Sequence, residues 1–281
     1  TIRGMLWAIA SGVAFSLLNT ILRGIALELD PMQTQFLRYF LGFTFFLPWL
    51  LSRGIAAYWP KDVPRQVLRG TIHTIGLFLW FAALPRIPLA DGTAFGFTVP
   101  IFVMLGAAIF LRERMVPARW IAAFIALIGV VIVLAPKLSG AGGIYNLVML
   151  ASQPLFAASV LITKTLTRKD RAEVIVLWQA FMVSAITLPF ALMHWVAPSP
   201  VQWMWFVVCA VLGTTGQYCN ARALGVADVS ATQSAKFLEL IWASFLGFVV
   251  FGDVPTESTV IGGLVIVAAT VWISHRESRR R

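Results

Sequence analysis

Lys236 and Glu239 are the residues of this chain whose types and spacing promise chemistry. They stand three positions apart inside a long apolar stretch, 228–251. On a helix that spacing puts both on one face, with Thr232 or Gln233 one turn earlier. At a rise of about 1.5 Å per residue they lie about 12 and about 16 Å beyond Asp228. That depth is close to the middle of a hydrocarbon core about 30 Å thick. Ionisable groups there are costly, so they face a cavity or a partner. Lys236 is suited to attract a carboxylate, and Glu239 an ammonium group or a proton. A structural ion pair that pins the helix accounts for the same two residues.

Further polar groups stand at helical spacing. His73, Gly76 or Leu77, and Trp80 share one face of the run at 67–84, and Gly213, Gln217 and Asn220 share a face of 201–224. Both stripes are expected to line a cavity, although His73 is close enough to Arg69 to sit at an interface. Asn19 and Gln153 can contact a solute or hydrogen-bond between helices. Trp80, Trp178 and Trp242 lie away from the run ends, where an aromatic face can pack an apolar body or attract an ammonium group. Candidate substrate contacts are therefore Asn19, His73, Trp80, Trp178, Gln217, Lys236 and Glu239. Pro48, Pro100 and Pro189 are candidate hinges, because proline frees a carbonyl one turn earlier. No catalytic or metal-binding set emerges. His73, His194 and His275 are scattered, Cys209 and Cys219 share one apolar run, and no zinc-protease, serine-hydrolase or ATP-binding motif occurs. No cofactor is expected.

The elements that must position these residues follow from composition. Of 281 residues, 59% are hydrophobic and 12% charged, and mean hydropathy is +0.84. Soluble domains carry about 25% charged residues. The chain is therefore read as an all-α integral membrane protein. Ten runs of about 20 residues are long enough to span a bilayer: 4–24, 33–52, 67–84, 88–111, 117–135, 143–166, 173–194, 201–224, 228–251 and 257–274. They are too long for barrel strands. The net charge of +10 sits mainly in short loops, which fits membrane topology rather than nucleic acid. With a cytoplasmic N-terminus, seventeen of the 22 basic residues fall inside. Arg23, Arg38, Arg86 and Lys137 fall outside, and both termini are expected in the cytoplasm. Runs five and ten lack interior charge and are expected at the periphery. The small stripe Ala118, Ala122 and Ala126 could support dimerisation, but a monomer is favoured.

The halves repeat. At an offset of 140, Thr74 and Gly76 match Thr214 and Gly216, Phe97 and Ile101 match Phe237 and Ile241, and Leu111-Arg112-Glu113 matches Phe251-Gly252-Asp253. Earlier in each half the offset is 141: Ser11 with Ser152, Phe15 with Phe156, Arg23 with Lys164, and Leu47-Pro48 with Leu188-Pro189. A unit of five helices is odd, so the second copy, 138–281, must lie upside down relative to the first, 1–137. Ten helices then form an inverted repeat of two five-helix units, an architecture suited to alternating access.

These residues resemble the EamA-type members of the drug/metabolite transporter superfamily over nearly the whole chain. The family's Leu-Gly-Glu ending of helices four and nine is matched by Leu111-Arg112-Glu113 and Phe251-Gly252-Asp253. Its Ala-Leu step is matched by Ala83-Leu84 and Ala223-Leu224. Its Glu-Pro step is split between Pro100 and Glu239. Within the superfamily, the aromatic content and basic loops are similar to bacterial YddG-type amino-acid exporters. The resemblance implies a secondary transporter in the inner membrane. It would export apolar or aromatic amino acids, or similar small metabolites, with the lipid bilayer and a small-molecule substrate as its partners. An intramembrane enzyme, a channel-like pore, and a carrier of drugs or other metabolites are the alternatives.

Overall fold

The computed structural model describes residues 2–25, 28–83, 95–96, 98–112, 117–134, 144–236, 238–252 and 257–278. Among them every regular element is helical: α1 (Ile2–Ile25), α2 (Pro31–Thr44), α3 (Leu47–Arg53), α4 (Val63–Ala83), α5 (Val99–Phe110), α6 (Pro117–Leu134), α7 (Ile144–Leu166), α8 (Ala172–Met193), α9 (Pro200–Val226), α10 (Val229–Lys236), α11 (Glu239–Phe251) and α12 (Glu257–Ser278). A 3-10 turn, Ile55–Tyr58, joins α3 to α4. The apolar runs thus coincide with helices over their described parts, but run two divides into α2 and α3 and run nine into α10 and α11. The start of run four and the expected 137/138 boundary lie outside the described residues.

Among the described residues, three stretches are long and apolar enough to cross a membrane on those grounds alone: Ile2–Leu22, Leu147–Leu166 and Ala172–Met193. The other helices are interrupted, or carry polar groups such as Gln66, Arg69 and Asn220. Those groups point inward. Gln33, Gln66, Arg69, Gln153, Gln179 and Gln233 are buried, whereas Phe110, Phe124, Phe245, Ile261 and Leu264 are exposed. A soluble fold shows the opposite distribution. Apolar-out, polar-in packing suits a chain whose solvent is hydrocarbon.

Packing follows a regular scheme. α1 lies on α9, and α4 on α7. α5 packs on α7, and α11 on α1. α4 meets α8, and α9 meets α2. α2 packs on α8, and α6 on α12. The two close pairs are built alike. The Phe15 ring on α1 lies 3.1 Å from where a Cβ on Gly216 would stand, and the Phe156 ring on α7 lies 3.0 Å from the same point on Gly76. Absence of a side chain lets each pair of helices approach. Ser11 Oγ adds a hydrogen bond to the Gly216 carbonyl at 2.9 Å. α6 and α12 pack chiefly on one another, so runs five and ten stand apart from the polar interior.

Local signals set the helix ends. Asp30 caps α2, accepting from the Met32 and Gln33 amides at 2.8 and 3.2 Å, with Pro31 at the first helical position. Ser199 and Gln202 form a capping box on α9, which satisfies two otherwise unpaired groups. α11 ends at Gly252 with φ +69°, and just beyond α5 Arg112 adopts φ +50°. These two residues are 140 apart. Glycine is at ease in the left-handed region; an arginine there costs about 1–2 kcal/mol, so the turn geometry at this place overrides the side chain's preference.

Candidate functional site

Runs four and nine are both interrupted, and in the same way. Thr98 N–H donates to the Phe95 carbonyl at 2.9 Å, and Ile101 and Phe102 both donate to Thr98. At an offset of 140, Leu238 donates to Ala235 at 3.2 Å, and Ile241 and Trp242 both donate to Leu238. A tight three-residue turn thus stands in each run. Pro100, at the start of α5, cannot donate to the carbonyl one turn earlier, which explains the first interruption. Residue 240, its counterpart, is leucine, so proline does not cause the second. There the turn falls between Lys236 and Glu239. Broken helices at membrane depth are tolerated where their freed backbone lines protein or a cavity, and carriers use them for solute and ion contacts.

Lys236 and Glu239 are half-buried on either side of that turn. They do not make a direct ion pair among the described residues. Lys236 Nζ instead sits 5.9 Å from the centre of the Phe15 ring, and the Glu239 Cβ faces Gly12 of α1 at 3.8 Å from where a glycine Cβ would stand. One turn earlier Gln233 is fully buried, and neither atom of its amide has a partner among the described residues. A buried amide left unpaired costs about 1–3 kcal/mol. Run nine therefore brings two separated charges to the α1 face, with an unsatisfied amide one turn earlier.

A second polar group lies among α2, α4, α8 and α9. Tyr39 Oη and His73 Nε2 share a hydrogen bond of 3.0 Å. Arg69 donates to the Ile175 carbonyl at 3.0 Å and to Gln179 Oε1. Arg38 lies over the Tyr39 ring at 4.7 Å. Arg38, Tyr39, Gly42, Gln179, Gly213, Thr214 and Gln217 contribute to the lining of a narrow cavity of about 10 Å³, room for about one water molecule. This corrects two assignments made from charge counting. Arg38 is not an outer-loop residue, because the Asp30–Pro31 cap starts α2 eight residues before it. Arg69 is not at the cytoplasmic surface, because α4 begins at Val63 and carries it into the bundle. Both stand in the interior, each signalled in the sequence only by lying more than a turn inside a helix.

The structure separates the other candidate residues. Gln217 lines the cavity. His73 is joined to it through Tyr39, so its polar partner lies inside the bundle rather than at the interface. Trp80 packs on Phe156 and faces the turn of run four, its ring 3.7 Å from where a Cβ on Gly96 would stand. Asn19 is exposed. Trp178 Nε1 donates to the Tyr58 carbonyl at 3.1 Å, with Trp59 against its ring. Gln153 Nε2 donates within α7 to the Met149 carbonyl and to Ser152 Oγ, while its buried Oε1 has no partner among the described residues. Pro48 stands at the start of α3, just after the break at Phe45–Phe46, whereas Pro189 lies within a continuous α8. Gly92, Thr93 and Phe97 lie outside the described residues.

Polar latches close both ends of the bundle. At one end Asp170 accepts from the Lys61 amide at 2.9 Å and from Gln66 Nε2 at 3.2 Å, and Lys169 Nζ pairs with Asp62 at 2.8 Å. At the other, Gln33 exchanges two hydrogen bonds with the Val196 backbone, and Gln202 Nε2 donates to Glu28 at 2.7 Å. Glu28 and Gln202 occupy the positions that correspond to Lys169 and Asp62 at offsets of 141 and 140. The bond from Lys169 holds the Asp62 carboxyl below its usual range, so the pair stays ionised at neutral pH and is lost only as pH falls through that lowered value. It is exposed, and salt rather than pH weakens it.

Two consecutive segments, residues 2–135 and 143–275, each match the EamA-like transporter family. The chain belongs to that family. This EamA-like protein is 32% identical over 280 residues to the riboflavin transporter of Rhizobium johnstonii, covering 99% of this chain and 92% of that one. It is 25% identical to the S-adenosylmethionine uptake transporter of Rickettsia prowazekii, covering 99% and 94%. It is 24% identical to the pseudopaline exporter CntI of Pseudomonas aeruginosa, covering 96% and 95%. A protein crystal structure shares its fold with a TM-score of 0.81 at 18% identity, covering 95% of each chain. The EamA-like chain is a multi-pass membrane transporter of small molecules, rather than an enzyme.

Proposed function

We propose that this chain is a secondary carrier of the plasma membrane that moves amino acids or related small metabolites by alternating access, with two inverted five-helix units, 1–137 and 138–281, rocking about a central site. The matched interruptions of runs four and nine carry the reading. A purely structural duplication has no need to conserve a break at membrane depth, still less to flank one copy with Lys236 and Glu239. The packing scheme supports it as well: exchanging each helix for its counterpart turns α1–α9 into α7–α4 and leaves α2–α8 and α6–α12 paired with themselves. The paired latches at the two ends suit a carrier that opens one face at a time.

Opposite charges held apart beside aromatic rings suit a zwitterionic head with an apolar body, which favours amino acids, and the outward direction follows from the resemblance to amino-acid exporters. The relative named as a riboflavin transporter favours a second reading, a larger uncharged aromatic solute held by Phe15, Trp80 and Phe156.

Counterflow in proteoliposomes tests the carrier and separates the cargoes. Vesicles preloaded with unlabelled aromatic amino acids, riboflavin or S-adenosylmethionine should take up the same labelled solute saturably for at least one of them. Uptake that never saturates contradicts a carrier, and counterflow of riboflavin without amino acids contradicts the amino-acid reading.

A further inference from the structure

We propose that the cavity at Arg38 is the docking point for a carboxylate of the transported solute, a specificity that rests on the carrier reading above and narrows it to organic acids, amino acids included. Arg38 is nine-tenths buried on α2. Its protein contacts are weak for a guanidinium: one Nη1 hydrogen bond to Gln35 Oε1 at 3.4 Å and the face of Tyr39. No carboxylate lies within ion-pair distance of it among the described residues. A buried cation with so little compensation is costly, unless another charge joins it during the working cycle.

The surroundings are shaped for that charge. Two glycines let the polar groups here pack closer to the backbone than any other residue would allow. A Cβ on Gly213 would come within 2.9 Å of Arg38 Nε, and one on Gly42 within 2.9 Å of Thr214 Oγ1. Thr214, Gln179 and Gln217 line the cavity beside them. Gln179 already accepts from Arg69, so a second guanidinium stands behind the wall. Two cations and no described acid leave a positive site, and the planar fork of arginine matches a carboxylate through two parallel hydrogen bonds.

The cavity also adjoins the site at run nine. Gly213 faces Arg38, and Gly216, about 4.5 Å further along α9, faces Phe15, whose ring lies under Lys236. One small solute could therefore place its acid at Arg38 and its ammonium group towards Glu239. Lys236 then serves as the counter-charge of Glu239 rather than as the receptor for the acid.

The test uses the purified full chain in detergent and matched probes: L-phenylalanine against L-phenylalaninamide, succinate against succinamide, and S-adenosylmethionine against its decarboxylated form. For at least one pair, the acid should raise the melting temperature at about tenfold lower concentration than its partner, the effect of about 1.4 kcal/mol. Arg38→Gln should erase that preference without lowering the melting temperature of the unliganded protein, whereas a merely structural arginine would lower it. Gly213→Ala, which keeps the charge but crowds Nε, should also weaken the preference. Equal stabilisation by acid and partner in every pair, stabilisation by none, or a preference that survives both substitutions would overturn the assignment. Counterflow of riboflavin or an amide without preference for acids would leave the carrier standing and remove only the role given to Arg38.

Discussion

Glu239→Gln should lower counterflow by about 10- to 100-fold, the range expected when a charged hydrogen-bonding group worth about 1.5–3 kcal/mol is lost. The variant keeps the size and helix propensity of the side chain, and it leaves Lys236 without its counter-charge at the depth where charge costs most. Lys236→Met should do the same from the other side. The double variant separates a structural pair from a working one. With both charges gone, the melting temperature should return to that of the wild type or exceed it, because neutralising an internal pair removes two desolvated charges. Transport should not return. Recovery of transport together with stability would show that the pair only pins run nine. If Glu239 also carries a proton, Glu239→Gln should abolish stimulation by a pH gradient in the same vesicles.

Gly76→Val and Gly216→Val should destabilise the protein by similar amounts, about 1–3 kcal/mol each, the usual cost of overfilling a packed contact. Each adds a branched side chain where a phenylalanine ring edge already stands about 3 Å from the first new carbon. The rings, Phe156 and Phe15, are themselves counterparts, so the two substitutions press on equivalent joints. Truncating the opposing ring to leucine should relieve part of the loss in both cases. Thermal unfolding in detergent reads this directly. A large effect at one glycine and none at the other would mean that the two contacts are alike in shape but not in load.

Much of this arrangement was legible in the residues. Apolar runs marked the helices because hydrocarbon leaves little freedom in composition, and runs two and eight began within two residues of the α2 and α9 starts that Asp30 and Ser199 cap. The offsets of 140 and 141 matched Gly76 with Gly216 and Phe15 with Phe156, but not the packing of each ring on the other half's glycine, which only the structure shows. The turn at Lys236–Glu239 was not legible: no proline or glycine announces it, and its match to run four appears only in backbone hydrogen bonds. Arg38 and Arg69 were misplaced because charge counting assigns arginines to loops, whereas a helix capped early draws them inside. The hydrogen bond of Trp178 was not legible either. Depth along a run does not tell which side a ring faces, and its Nε1 found the Tyr58 carbonyl. Arg112 shows the converse, a residue whose own preference would not predict the left-handed turn that its counterpart Gly252 makes easily.

The inverted relation of the halves is open to one direct measurement. Ala57, between α3 and α4, and Ala197, between α8 and α9, are counterparts at an offset of 140, and both are exposed. Each can be made the sole cysteine in a chain whose buried Cys209 and Cys219 are replaced by alanine. A membrane-impermeant maleimide added to intact cells should label the cysteine at position 197 and spare that at 57 until the membrane is opened. Labelling of both positions from the same side would place the two units in the same orientation and contradict the account.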